Sequence, residues 1–128
     1  MGQAKNAAKE NSPGLIDGKL PPCSSKPNCV NSTADSDSEH YIAPLHSADL
    51  TPNDLQAAIE STGGVLVSIE DNLVTATYRS SLFGFIDDLL LQINEANIDV
   101  RSSSRVGYSD FNANRKRVER LRQLLNPE

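Results

Sequence analysis

Residues 65–106 read VLVSIEDNLVTATYRSSLFGFIDDLLLQINEANIDVRSSSRV, and the way this run divides decides the fold. Val65, Val67 and Ile69 alternate with Leu66 and Ser68, a strand pattern that Glu70-Asp71-Asn72 ends as a turn. Residues 73–79 are β-branched and aromatic, with Val74, Ala76 and Tyr78 on one face. Residues 85–93 are the most apolar stretch, 94–97 form a four-residue turn, and 98–106 make the last strand. Links this short join antiparallel neighbours, because parallel strands need long crossovers. The run is therefore an antiparallel meander.

Working outward, residues 40–45 form a short strand candidate that ends near Pro44, which suits a sheet edge. Thr51-Pro52-Asn53-Asp54 starts a helix: Thr51 caps, Pro52 fits the first helical position, and Asp54 suits the positive end of the dipole. Leu55, Ala58 and Ile59 give this helix its buried stripe, and Gly63-Gly64 ends it. On the far side, Asn112 or Asn114 caps a final helix with Val118, Leu121 and Leu125 on one face. The order β-α-β-β-β-β-α predicts an α+β fold, a five-stranded antiparallel sheet with two helices on one face.

The N-terminal third reads differently. Pro13-Gly14, Asp17-Gly18 and Pro21-Pro22 are breakers, and residues 31–39, NSTADSDSE, hold no large apolar side chain. This predicts a flexible leader over 1–33 and a single α+β domain over 34–128. With 38% hydrophobic and 23% charged residues in 128, the chain is neither disordered throughout nor a membrane bundle. A net charge of −5 excludes a general nucleic-acid binder, which needs a clustered basic surface. Asn31-Ser32-Thr33 has the form of a glycan acceptor.

Cys23 and Cys29 are the only cysteines. Their spacing is not C-x-x-C, and with only His40 and His46 as histidines no second pair completes a zinc tetrahedron. A redox pair and a half-site for metal stay open as alternatives. The plainer expectation is a structural disulfide across a small loop, no metal and no cofactor, in an oxidising compartment.

Charge is unevenly spread. From residue 33 to 99 there are twelve acids and one base, Arg79; from 100 to 128 there are seven bases and three acids. The basic end can pair with the acidic body, or meet an anionic surface. If the 94–97 turn sets Ile93 opposite Ile98, Asp88 faces Ser103 and lies diagonally between Arg101 and Arg105. Asp87 then falls on the core face with Phe85, Leu89, Leu91, Ile93, Ile98, Val100 and Val106, a costly place for an unpaired carboxylate. Ser104, Arg115 and the first N–H groups of the last helix are its candidate partners.

Residues 81–88, SLFGFIDD, followed by 100–110, VRSSSRVGYSD, and by Asn114-Arg115-Lys116-Arg117-Val118-Glu119, resemble the family catalogued as domain of unknown function 1499. Cys23, Pro27-Asn28-Cys29-Val30 and His40-Tyr41 belong to the same resemblance, which covers nearly the whole chain; Ser24 stands where the family has proline. The resemblance implies a bacterial protein with plastid relatives, and among its members many secreted proteins and lipoproteins. It supplies no established catalytic residue. Residues 15–20, LIDGKL after Gly14, resemble the lead-in of lipoprotein-type members, so the polar stretch 2–12 is expected to be a tether following a lipidated cysteine, with Met1 in that cysteine's place.

The polar cluster Asp87, Asp88, Arg101, Arg105, Tyr108, Asp110, Asn114, Arg115 and Arg117 supports three readings. It could perform acid–base work in a small hydrolase-like or ligand-binding enzyme, although no nucleophile elbow, P-loop or zinc signature accompanies it. It could line a binding site, with Phe83 a candidate contact residue. It could simply lock the last helix to the sheet. The expectation is a non-catalytic binding or scaffolding domain in the cell envelope. It would be periplasmic or membrane-anchored, with cytoplasm the alternative. It would be a monomer with a protein or small-molecule partner, no nucleic acid, and membrane contact only through a lipid anchor absent from this chain.

Overall fold

The computed structural model describes residues 13–79 and 84–127. The elements are β1 (Cys29–Asn31), β2 (Leu45–His46), α1 (Pro52–Ser61), β3 (Val65–Glu70), β4 (Leu73–Arg79), β5 (Ile86–Ile93), β6 (Asn97–Ser104) and α2 (Ala113–Leu125). The strands form one antiparallel sheet in the order β1-β6-β5-β4-β3, with β2 also pairing with β6. The fold is α+β, and the meander stands as the alternation indicates.

The β5–β6 register sets Ile93 opposite Ile98, Leu91 opposite Val100 and Asp87 opposite Ser104. One face of the sheet carries Val74, Ala76, Tyr78, Leu89, Leu91, Ile98 and Val100 into a core shared with Leu55, Ala58 and Ile59 of α1 and Val118 and Leu121 of α2. α1 begins as its sequence requires: Thr51 and Asp54 make a reciprocal capping box, and Gly63 takes a left-handed φ of 94° just past the end. At the next residue a Cβ on Gly64 would stand 2.6 Å from the Tyr78 ring, so only glycine lets the chain pass there into β3.

Two expectations need correcting. Strand 40–45 is reduced to the pair Leu45–His46, and the sheet gains a strand inside the expected leader, Cys29–Asn31, which pairs with residues 101–103 of β6. The boundary at residue 33 therefore falls beyond an edge strand of the domain. Three residues bonded to a strand about seventy positions away give no alternation and no local turn to read. The preceding segment also has a place. The carbonyls of Gly18, Pro21 and Pro22 accept hydrogen bonds from Gln92, Arg101 and Asn31 on the sheet's second face. Leu20 and Leu90 are both buried there, outside the main core. The Cys23–Cys29 disulfide ties this crossing segment to β1. Asn31, 1% exposed with its amide bound to Pro21, has no freedom to carry a glycan in the folded chain.

Candidate functional site

Asp87 and Asp88 follow one another on β5, so the pleat sends them to opposite faces, and the sheet divides the predicted polar cluster in two. On the second face Asp88 holds Arg105 with two hydrogen bonds, Nε to Oδ2 at 2.8 Å and Nη2 to Oδ1 at 2.9 Å. The carboxylate raises the Arg105 pKa through that bonding. Arg101 is held apart from it: its guanidinium donates to Pro21, Pro22 and Ser103, and burial lowers its pKa, with the Asp88 charge opposing.

On the core face Asp87 sits beneath the first turns of α2, 2% exposed. Its partner is Arg117, whose Nη2 donates to Oδ2 at 2.8 Å. This replaces the partners expected from the sequence. Arg117 Nη1 also donates to Asn114 Oδ1 and Ser102 Oγ, and its guanidinium carbon stands 4.3 Å above the Tyr78 ring centre. Tyr78 Oη shares a 2.8 Å hydrogen bond with Thr62 Oγ1 at the end of α1. Burial raises the phenol's pKa; the Thr62 bond and the Arg117 charge work against that rise.

Asn114 is fully buried and joins α2 to three other segments. Its amide donates to Asn28 O, Ser104 Oγ and Asp110 Oδ2, and its carbonyl accepts from Ser102 and Arg117. It therefore does not cap α2, and neither does the Asn112 side chain, although Asn112 occupies the cap position with φ 65°. Asp110 does that work, accepting from the backbone N–H groups of Asn112 and Asn114. Arg115 points elsewhere, donating to the carbonyls of Glu39 and Tyr41. Tyr108 is 70% exposed, and Phe83 lies outside the described residues.

Above Arg117 opens a cleft of about 490 Å³ between the first turns of α2, the loop after β6 and the end of β4. Tyr78, Asp87, Ser104 and Arg117 line it together with Asp110, Phe85, Val106 and Phe111, and Arg79 and Arg120 also face it. The loop turns at Gly107, φ 88°, where a Cβ would stand 3.6 Å from the Phe85 ring. A smaller space of about 150 Å³ lies beside the disulfide, next to His40, whose Nδ1 is 3.0 Å from Cys29 O.

The family model described as a protein of unknown function, DUF1499, matches residues 19–125. The chain is a DUF1499 protein. The match begins before the disulfide, so the family unit includes the segment that crosses the second face. Searches against curated proteins and against solved structures gave no match.

Of the predicted cluster, the DUF1499 fold brings Asp87, Asp110, Asn114 and Arg117 together and places Asp88, Arg101 and Arg105 behind the sheet. The cleft also uses Arg79, Phe111 and Arg120, which sequence reasoning did not single out, and Phe85 and Val106, which it assigned to the core face but which lie beyond the ends of β5 and β6 and are exposed at the cleft. Arg117 belonged to the predicted cluster, but the arginine expected beside Asp87 was Arg115, and the structure places Arg117 there instead. Among the described residues no group of three or more His, Cys, Asp or Glu side chains could hold a metal, and no helix is long and apolar enough to cross a membrane.

Proposed function

We propose that this DUF1499 chain is a non-catalytic binding domain of the cell envelope, and that the cleft above Arg117 receives a small-molecule ligand. The cleft itself carries the reading: it has the volume of a drug-sized site, with exposed apolar side chains at its rim and polar groups converging on its floor. The disulfide is compatible with an extracytoplasmic location, and the polar stretch 2–12 suits a tether behind a lipid anchor. The enzymatic alternative has less support. Asp87 is engaged by Arg117 and Asp110 by the start of α2, while His40 belongs to the smaller space. Acid–base work requires a group able to exchange its proton with a substrate.

Titration with anilinonaphthalene sulfonate, an aromatic fluorescent anion, tests the binding reading. Saturable 1:1 binding that shifts the amide resonances of Val106 and Ala113, and that Val106→Asp abolishes, is expected. Binding that leaves those resonances unmoved, or no binding, overturns it.

A further inference from the structure

The charges of the cleft go further than its volume. We propose that its ligand is a single-chain amphiphile with one anionic head, a carboxylate or a phosphate monoester, an assignment that rests on the binding role given above. Both carboxylates that line the cleft are committed, Asp87 to Arg117 and Asp110 to the first N–H groups of α2. Of the three arginines among the described lining residues, two are not. Among the described residues neither Arg79 nor Arg120 has a carboxylate within ion-pair distance; Arg79 donates to Gly84 O, and Arg120 is exposed. The lining thus carries an excess of positive charge in a chain whose net charge is −5. Such a local reversal concentrates anions against the field of the whole molecule. Arginine forks pair with planar or tetrahedral oxyanions through two parallel hydrogen bonds. Because Asp110 already occupies the helix N-terminus, the arginines are where the head must go.

The apolar part of the ligand is read from the rim. Phe85, Val106 and Phe111 are all exposed large hydrophobic residues, Phe111 at 76%, and all three line this one opening. Exposed apolar side chains gathered at one place mark a contact site, whereas scattered ones do not. A cleft of about 490 Å³ takes one alkyl chain and is too small for a two-chain lipid. The head could come from a free fatty acid or from a lipid phosphate; both present the same chemistry to the arginines.

The test uses the full chain and four decyl compounds below their micellar concentrations: decanoate, decyl phosphate, decyl glucoside and decyltrimethylammonium. Calorimetry is paired with amide shift mapping. Decanoate and decyl phosphate are expected to bind 1:1 at the cleft, and whichever binds more tightly indicates the source of the head. The glucoside should bind at least about tenfold more weakly, the difference one charge-assisted hydrogen bond makes, and the cation not at all. Arg120→Gln should cost the anions roughly tenfold and the glucoside nothing. Equal affinity for all four heads overturns the anionic assignment while leaving the binding role intact. No binding of any of them, with anilinonaphthalene sulfonate also inert, removes both. Association with anionic phospholipid vesicles without 1:1 binding of the free amphiphiles overturns the proposal in favour of a membrane surface.

Discussion

Asp87 and Asp88 are each almost wholly buried, and each is held by an arginine on its own side of the sheet. Removing one member of such a pair leaves the other charge uncompensated, so Asp87→Ala should destabilise the chain by about 3 kcal/mol, at the low end for a buried pair because the cleft admits water to Arg117. Replacing both, as Asp87→Leu with Arg117→Met, should recover much of that loss, since the desolvation of two charges disappears with them. Urea midpoints of the single and double variants check both expectations. Tyr78 adds a pH dependence. Its phenol holds its proton more tightly when folded than the ordinary value of 10.0 allows. The folded state thus binds a proton that the unfolded chain releases, and the stability this contributes is complete below about pH 10 and lost as pH rises through the raised value. The urea midpoint should fall above that pH, and less steeply in Tyr78→Phe. The face of each aspartate was legible from the 94–97 turn, because a hairpin register fixes side-chain parity. The partner of Asp87 was not, because it depends on the rotation of α2 about its axis, which an uncertain helix start leaves open.

At the scale of elements, local signals and long-range pairing separate cleanly. α1 was readable from end to end, since Thr51, Pro52 and the glycine pair act within a few residues of where they stand. Thr51→Ala should cost about 1 kcal/mol through the lost cap. Gly64 shows the limit of such reading. The sequence marks it only as a helix stop, whereas the structure gives it a packing role: a methyl group there would meet both the Tyr78 ring and Ile59 Cγ2 inside 3 Å. Gly64→Ala should therefore cost about 1–3 kcal/mol by overpacking, and it should disturb the Tyr78–Thr62 hydrogen bond. Thermal unfolding gives the first effect and the hydroxyl resonance of Tyr78 the second. β1 escaped notice, and β2 was expected over 40–45, for the opposite reason. They are three and two residues long, and both are defined by pairing with β6.

Over the whole molecule, the basic C-terminal end meets the acidic body mainly through backbone carbonyls. Arg115 and Arg122 of α2 donate to the carbonyls of Glu39, Tyr41, Ala43 and Pro44, holding the connection into β2 against the helix. The opposite face depends on the segment 18–23, which Arg101 and Gln92 bind and which the disulfide anchors to β1. Cutting that anchor has a calculable consequence. A loop this small loses about 2 kcal/mol of closure entropy from its unfolded state when cross-linked, so Cys23→Ser with Cys29→Ser should lower stability by about that amount. The loss should not be spread evenly. Lifting the segment away bares Leu20 and Leu90 and frees Arg101 and Gln92 from its carbonyls, yet it leaves the core between sheet and helices intact. Amide exchange should then quicken most at Asn31, which donates to His40 O, and at Ser104, which donates to Asn28 O, while β4 and β5 change only by the global amount. Unchanged protection at Asn31 in the variant would mean that the arginine-to-carbonyl bonds hold the segment by themselves, and the disulfide would then act on the unfolded chain alone.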